Sequence, residues 1–219
     1  MPFNGTQHGN AIYYTNSSGT ISGNTVSLYQ KNGITAVNGS SVTISGNTVT
    51  GQGPVTYIAQ NGIEVGSGAS ATVSGNTVSD NAYSGTNDAS LGGILVFGGP
   101  CFGSAYTTGV SVTTNTLTNN DVGIFLYNAD ATCLATSPTK TQNKAVNNTI
   151  TNSNTTNVSG NGYPNGYQAG ISDFGNKDNI VNNKISGDGY NPLFQPTPAS
   201  LYTTIDTTGS QAAHVNNNK

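Results

Sequence analysis

Apolar residues along this 219-residue chain alternate with polar ones in short runs, and glycine interrupts each run before it reaches helical length. Alternation of this kind places successive side chains on opposite faces of a strand, whereas a helical period would group them at every third and fourth position. The runs are copies of one another. ISGNTVS begins at Ile21, ISGNTVT at Ile44 and VSGNTVS at Val73, with weaker copies VTTNTLT at Val112, AVNNTIT at Ala145 and IVNNKIS at Ile180. A second motif precedes each later copy: NGITAV at Asn32, NGIEV at Asn61, GGILVF at Gly92, VGIFLY at Val122 and AGISDF at Ala169. NAIYY at Asn10 reads as a degenerate first member.

The asparagines of the first motif, Asn24, Asn47, Asn76, Asn115, Asn148 and Asn183, are spaced by 23, 29, 39, 33 and 35 residues. A period that varies while the motifs persist describes stacked strands with loops inserted between them. Parity assigns Val26, Val49, Val78, Leu117, Ile150 and Ile185 to the core, and Ile34, Ile63, Ile94, Ile124 and Ile171 likewise. The Asn residues precede the inward aliphatic, where the chain turns. At a strand spacing of roughly 4.8 Å they can form an amide ladder that satisfies groups otherwise costly to bury. HVNNNK at His214 resembles the VNNK of Val181–Lys184, which pairs Asn183 with Asn217.

The two motifs resemble the coil signature of the right-handed parallel β-helix family, which includes pectate-lyase-like and alginate-epimerase-like enzymes. The resemblance runs from about Asn10 to Asn218 and operates at the level of the repeat. It implies an all-β fold: a single-stranded right-handed parallel β-helix of six to seven coils, forming one domain over 1–219 and reading as a segment of a longer solenoid. A fold shared by many activities does not by itself imply one of them. Three insertions stand out: Ser79–Leu91, Thr151–Gln168 with Tyr163, Pro164 and Tyr167, and Asp188–Gly209. End-to-end stacking on another solenoid segment is a further expectation, because open solenoid ends need protection.

Only 33% of the chain is hydrophobic and 7% is charged, with a formal net charge of -3. Its polar character comes from Gly, Asn, Ser and Thr, which suit many turns and short strands. Six Lys and no Arg argue against nucleic acid as a partner, since phosphate recognition needs clustered cations. No run approaches the eighteen apolar residues of a membrane span. MPFNGTQHGN lacks the basic and apolar segments of a signal peptide, so the secreted or cell-surface location expected for such a chain implies a leader already removed.

Cys101 lies eight residues after Gly93, and Cys133 ten after Gly123. Both therefore follow the same strand in adjacent coils, at a separation compatible with a disulfide. Two buried thiols or half of a metal site are the alternatives, and the lack of a nearby His weighs against the metal.

Candidate chemistry lies on outward columns of the Gly-Ile strands. One column reads Tyr13, Thr35, Glu64, Leu95, Phe125, Ser172, and the next Val37, Gly66, Phe97, Tyr127, Phe174. Leu95, Phe97, Phe125, Tyr127 and Phe174 form an apolar strip suited to the C–H faces of sugar rings, or to burial under the 151–168 insertion. Catalysis finds weaker support. Uronate chemistry needs a base, a proton donor and a cation, and the lyase-like pattern implied by the resemblance uses an Arg that this chain lacks. The acids are scattered. Glu64 with Asp88, and Asp121 with Asp130, are the candidate pairs, while Asp173 points inward by parity and can cap a turn. Calcium would need several convergent carboxylates, so no cofactor is expected. His8 and His214 sit at opposite ends.

The Asn-Thr strands present a different surface. Thr25, Thr48, Thr77, Thr116 and Thr149 point outward, with Ser27, Thr50, Ser79, Thr118, Thr151 and Ser186 two residues on; Lys184 breaks the first column. This Thr-x-Thr array resembles the ice-binding faces of β-solenoid antifreeze proteins. Three functions follow as expectations: polysaccharide binding or processing on the aromatic strip, ice binding on the Thr array, and a structural or adhesive spacer.

Overall fold

The computed structural model describes residues 5–87, 89, 91–133, 138–160, 162–163 and 165–219. Among them the strands form three parallel sheets running the length of the stack. The first sheet holds Ile12–Thr15, Asn32–Val37, Asn61–Gly66, Gly92–Gly98, Val122–Asn128, Tyr167–Asp173 and Leu201–Asp206, in that order. The second holds Ser18–Ser22, Ser41–Ser45, Ser70–Ser74, Ser111–Thr113, Lys144–Val146, Asn179–Val181 and His214–Asn216. The third holds Thr25–Ser27, Thr48–Val55, Thr77–Tyr83, Thr116–Thr118, Thr149–Thr151 and Lys184–Ser186. The first six coils visit the three sheets in turn, and the seventh supplies strands to the first two.

The inward columns are those that parity assigns. Ile34, Ile63, Ile94, Ile124 and Ile171 stack in register on the first sheet. Val49, Val78, Leu117 and Ile150 do so on the third and are fully buried. The second and third sheets alternate buried and exposed residues, as a half-solvated strand should. The first sheet does not: residues 122–126 and 167–173 are buried on both faces. Something outside the coil therefore covers that sheet.

One residue makes the turn from the second sheet to the third, and it needs a left-handed backbone. The column reads Gly23, Gly46, Gly75, Thr114, Asn147, Asn182 and Asn217, with φ between 53° and 65°. Glycine accepts this conformation without a Cβ clash, and asparagine is the side chain that tolerates it best. The next residue is the ladder asparagine. Each ladder Oδ1 accepts both the backbone N–H and the Nδ2–H of the asparagine one coil earlier, at 2.9–3.0 Å, from Asn24 through Asn47, Asn76, Asn115, Asn148 and Asn183 to Asn218. Its own Nδ2 also reaches a backbone carbonyl, as Asn115 does to Val73 O at 3.0 Å.

Two expectations are corrected here. Asn183 pairs with Asn218, not Asn217, because the inward aliphatics Ile180 and Val215 set the register. The stretch Asp188–Gly209 is not one loop. Leu201–Asp206 is the seventh strand of the first sheet, with Ile205 stacked on Ile171. Its YTTID sequence lacks the Gly-Ile signature, which hides it. A second ladder also escapes the repeat pattern: Asn81 donates its N–H and Nδ2–H to Asn120 Oδ1, and Asn152 donates to the Asn120 carbonyl.

Replacing Asn115 by Ala removes an acceptor from two buried donors of Asn76 and should cost about 2–4 kcal/mol by urea unfolding. Leu117→Ala, in the fully buried aliphatic column, should cost about 2–5 kcal/mol by the same measurement.

Candidate functional site on the outer face of the first sheet

The two flanks of the first sheet are built differently. Past the strand ends, Cys101 and Cys133 form a disulfide with their Cα atoms 5.0 Å apart, closing a 32-residue separation. It holds the Pro100–Phe102 turn, whose Phe102 ring meets Phe97 and Tyr127 edge-on at 5.1 and 5.2 Å. At the strand starts, Tyr167, the first residue of the strand Tyr167–Asp173, stacks on Tyr163 of the preceding insertion at 5.2 Å. The Tyr167 hydroxyl donates to Asp206 Oδ2 at 2.8 Å and accepts from the Ser172 hydroxyl at 2.7 Å. Burial and the neighbouring Asp206 carboxylate hold that phenol protonated, well above its ordinary pKa.

This arrangement divides the expected strip. Leu95 and Phe125 are only 7% and 2% exposed, and they form a second small core with Val122, Tyr167 and Ala169 outside the coil. Their place as an open platform is corrected: they are covered, because Tyr167 at the start of its own strand joins the same cluster. Phe97, Tyr127 and Phe174 remain half-buried at the rim of that core. Tyr127 stacks on Phe125 at 4.8 Å and meets Phe174 edge-on at 5.3 Å. With Phe102, 39% exposed, they make a continuous aromatic ridge. Phe102 lies on a loop without strand periodicity, and only the adjacent Cys101 hints at its position.

The acids do not assemble into a catalytic pair. Asp88 falls outside the described residues. Glu64 is half-buried in the column between Thr35 and Leu95, where Asn61 Nδ2 donates to it at 3.3 Å. Burial raises the pKa of Glu64 and lowers that of nearby Lys31, and their mutual attraction opposes both shifts. Lys31 Nζ is held by the Ala59 carbonyl at 2.8 Å. Asp121 is fully buried, accepts from the Tyr83 N–H at 2.7 Å, and is pushed up to about 8 by desolvation. Asp130 is held in the disulfide loop by the Thr132 N–H and hydroxyl, at 2.9 and 2.6 Å. The strand between them keeps Asp121 and Asp130 roughly 25 Å apart, too far to act on one bond. Asp173 is inward and caps a turn through the Gly175 N–H at 2.8 Å, as its parity implies. Among the described residues no group of three or more His, Cys, Asp or Glu converges as a metal site.

The hydroxyl columns lie away from this face. Thr25, Thr48, Thr77, Thr116 and Thr149 are exposed and in register on the third sheet, with Lys184 next in the column. Thr50, Thr118 and Thr151 in the second column are half-buried.

The parallel coils, the two-motif repeat and the shielded outer face together define a β-solenoid. The chain matches the family model for a right-handed β-helix region over residues 10–219 and belongs to that family. No curated protein and no solved structure matches it.

Phe125→Ala should cost about 3–5 kcal/mol of stability, the range for truncating a core ring, while Phe102→Ala should cost under about 1 kcal/mol because that ring is partly in solvent. Loss of the disulfide in C101S/C133S should cost about 3–4 kcal/mol in the chain-entropy model. Urea unfolding of the three variants checks the order.

Proposed function

We propose that this solenoid binds polysaccharide along the first sheet's outer face, in a secreted or cell-surface setting. The observation that carries the reading is the half-exposed ridge of Phe97, Phe102, Tyr127 and Phe174, clamped by the disulfide beside a buried second core. Aromatic rings with one solvent-facing side suit the apolar C–H faces of pyranose rings, and each contributes on the order of 1 kcal/mol. Four such contacts give a site of millimolar-to-micromolar affinity, which tracks a polymer and does not grip a small ligand. A neutral glycan is favoured over a uronate, because Glu64 borders the ridge and Lys31 is engaged at Ala59 O. The disulfide supports the extracellular setting, since oxidising compartments preserve such bonds. The burial of Asp121, Asp173 and Asp178 away from solvent favours binding over catalysis.

Calorimetry against neutral and uronate oligosaccharides tests this. The wild-type chain should bind a neutral oligomer, and Tyr127→Ala and Phe102→Ala should each weaken it about fivefold or more. Absence of binding to every neutral and uronate oligomer would end the proposal.

One observation favours a second reading. The exposed Thr25, Thr48, Thr77, Thr116 and Thr149 repeat at the strand spacing over five consecutive coils, a regular hydroxyl lattice of the kind that orders water. Ice binding on this face predicts thermal hysteresis at sub-millimolar protein, abolished by Thr77→Lys without loss of fold. Normal ice growth would exclude it.

A further inference from the structure

The inward column of the first sheet reads Ala36, Val65, Val96, Leu126 and then Asp173, each stacked on the last. A carboxyl thus enters the solenoid interior in the sixth coil, where it is 1% exposed. Five residues later, just before the second-sheet strand Asn179–Val181, Asp178 occupies the position above Asn143, fully buried. The two side chains converge in the corner between the sheets. Asp173 Oδ1 accepts from the Gly175 N–H at 2.8 Å. Asp178 Oδ1 accepts from the Asn143 N–H at 2.8 Å and from the Thr141 hydroxyl. Both Oδ2 atoms are left without a protein hydrogen-bond partner, and the two carboxyl groups meet around Gly175, whose N–H holds Asp173 Oδ1 and whose Cα faces Asp178 Oδ2. The fit is close: a Cβ at Gly175 would come within 2.1 Å of Asp178 Oδ2 and 2.7 Å of Thr141 Oγ1.

Two buried carboxylates cannot both be ionised at this separation without strong repulsion, and one proton between them satisfies both orphaned oxygens. Among the described residues no cation offsets the pair. Lys140 and Lys177 on the flanking loops and His214 on the next strand are exposed. Asp206 on the neighbouring strand is engaged by Tyr167 and Thr208, and Leu126 faces the pair from the coil before. The 207–213 connection brings the Ser210 hydroxyl. We propose that Asp173 and Asp178 share one proton and act as a pH-sensitive clasp closing the turn between the first and second sheets in the sixth coil. The seventh coil rests on that turn, through Gln211 N–H to Gly175 O at 2.8 Å and Asn176 Nδ2 to Gln211 Oε1 at 3.1 Å. Loss of the proton loosens both.

Burial and repulsion from Asp178 raise Asp173 to about 8, and burial raises Asp178, whose hydrogen bonds from Thr141 and Asn143 and contact with Asp173 oppose that shift. The folded chain therefore keeps a proton that the unfolded chain has lost, so stability falls as pH rises from the ordinary carboxyl range to about 8 and levels off above it. Melting temperatures from pH 5 to 9, with 13C NMR of the aspartate carboxyls, test the clasp. The wild-type melting temperature should fall by roughly 5 °C or more over that range. Asp121, also raised to about 8, and Glu64, raised by burial, contribute with the same sign, so Asp121→Asn with Glu64→Gln serves as background. In that background Asp178→Asn supplies a permanent donor to Asp173 Oδ2 and should abolish the remaining slope together with its carboxyl titration. Asp173→Leu, which restores the residue type of the preceding coil, should flatten the slope equally and covers a failure of the first variant to fold. An unchanged slope in both variants overturns the clasp, as does NMR showing both carboxyls ionised at pH 6. Stabilisation by added calcium at pH 9 that disappears in Asp178→Asn would likewise overturn it, identifying a shared cation in place of the proton.

Discussion

The structure depends on one recurring constraint: an amide buried at each turn from the second sheet to the third must find its partners in the adjoining coils. A chain with 33% hydrophobic residues has little apolar surface with which to hold itself together. The asparagine ladder compensates by joining every coil to the next through two hydrogen bonds to a single Oδ1, with a further bond to a carbonyl. Each asparagine is satisfied only when its neighbours are stacked in register. Order therefore propagates from coil to coil, as expected of an architecture in which each repeat touches only the next.

With the coil held this way, the connections are free to vary in length. They vary most around the first sheet, the sheet buried on both faces. On one flank Tyr167, at the start of its strand, packs with Phe125 and Leu95; on the other a disulfide presses Phe102 against Phe97 and Tyr127. The aromatic ridge is what remains exposed between a structural cover and a structural staple. Its rings are oriented by packing before any ligand arrives, which reduces the ordering cost of binding.

The interior is not uniformly apolar. Asp173 ends an aliphatic column, and Asp121 lies fully buried at the start of a first-sheet strand. Both tolerate burial because backbone N–H groups meet one oxygen of each, and because desolvation keeps a proton available to the other. Charge in this solenoid is thus suppressed by protonation, since few of its cations reach the interior.

The sequence by itself determined whatever repeats. Parity assigned the aliphatic columns and the outward threonines, the spacing located the ladder, and the matched offsets of Cys101 and Cys133 brought them together, because equivalent positions in stacked coils are neighbours. It also turned Asp173 inward. Only the tertiary structure decided what lies outside that periodicity. Tyr167 joins the cluster of Phe125 although it precedes the repeat motif that begins at Ala169. The strand Leu201–Asp206 forms because Ile205 finds Ile171, although its local sequence carries no signature. Asn218 replaces Asn217 in the ladder because inward aliphatics outweigh a textual match. Asp178 meets Asp173 across a turn whose path no strand period describes. Periodicity specifies which face a residue takes, whereas contacts made by loops depend on how the folded coils bring distant segments into reach.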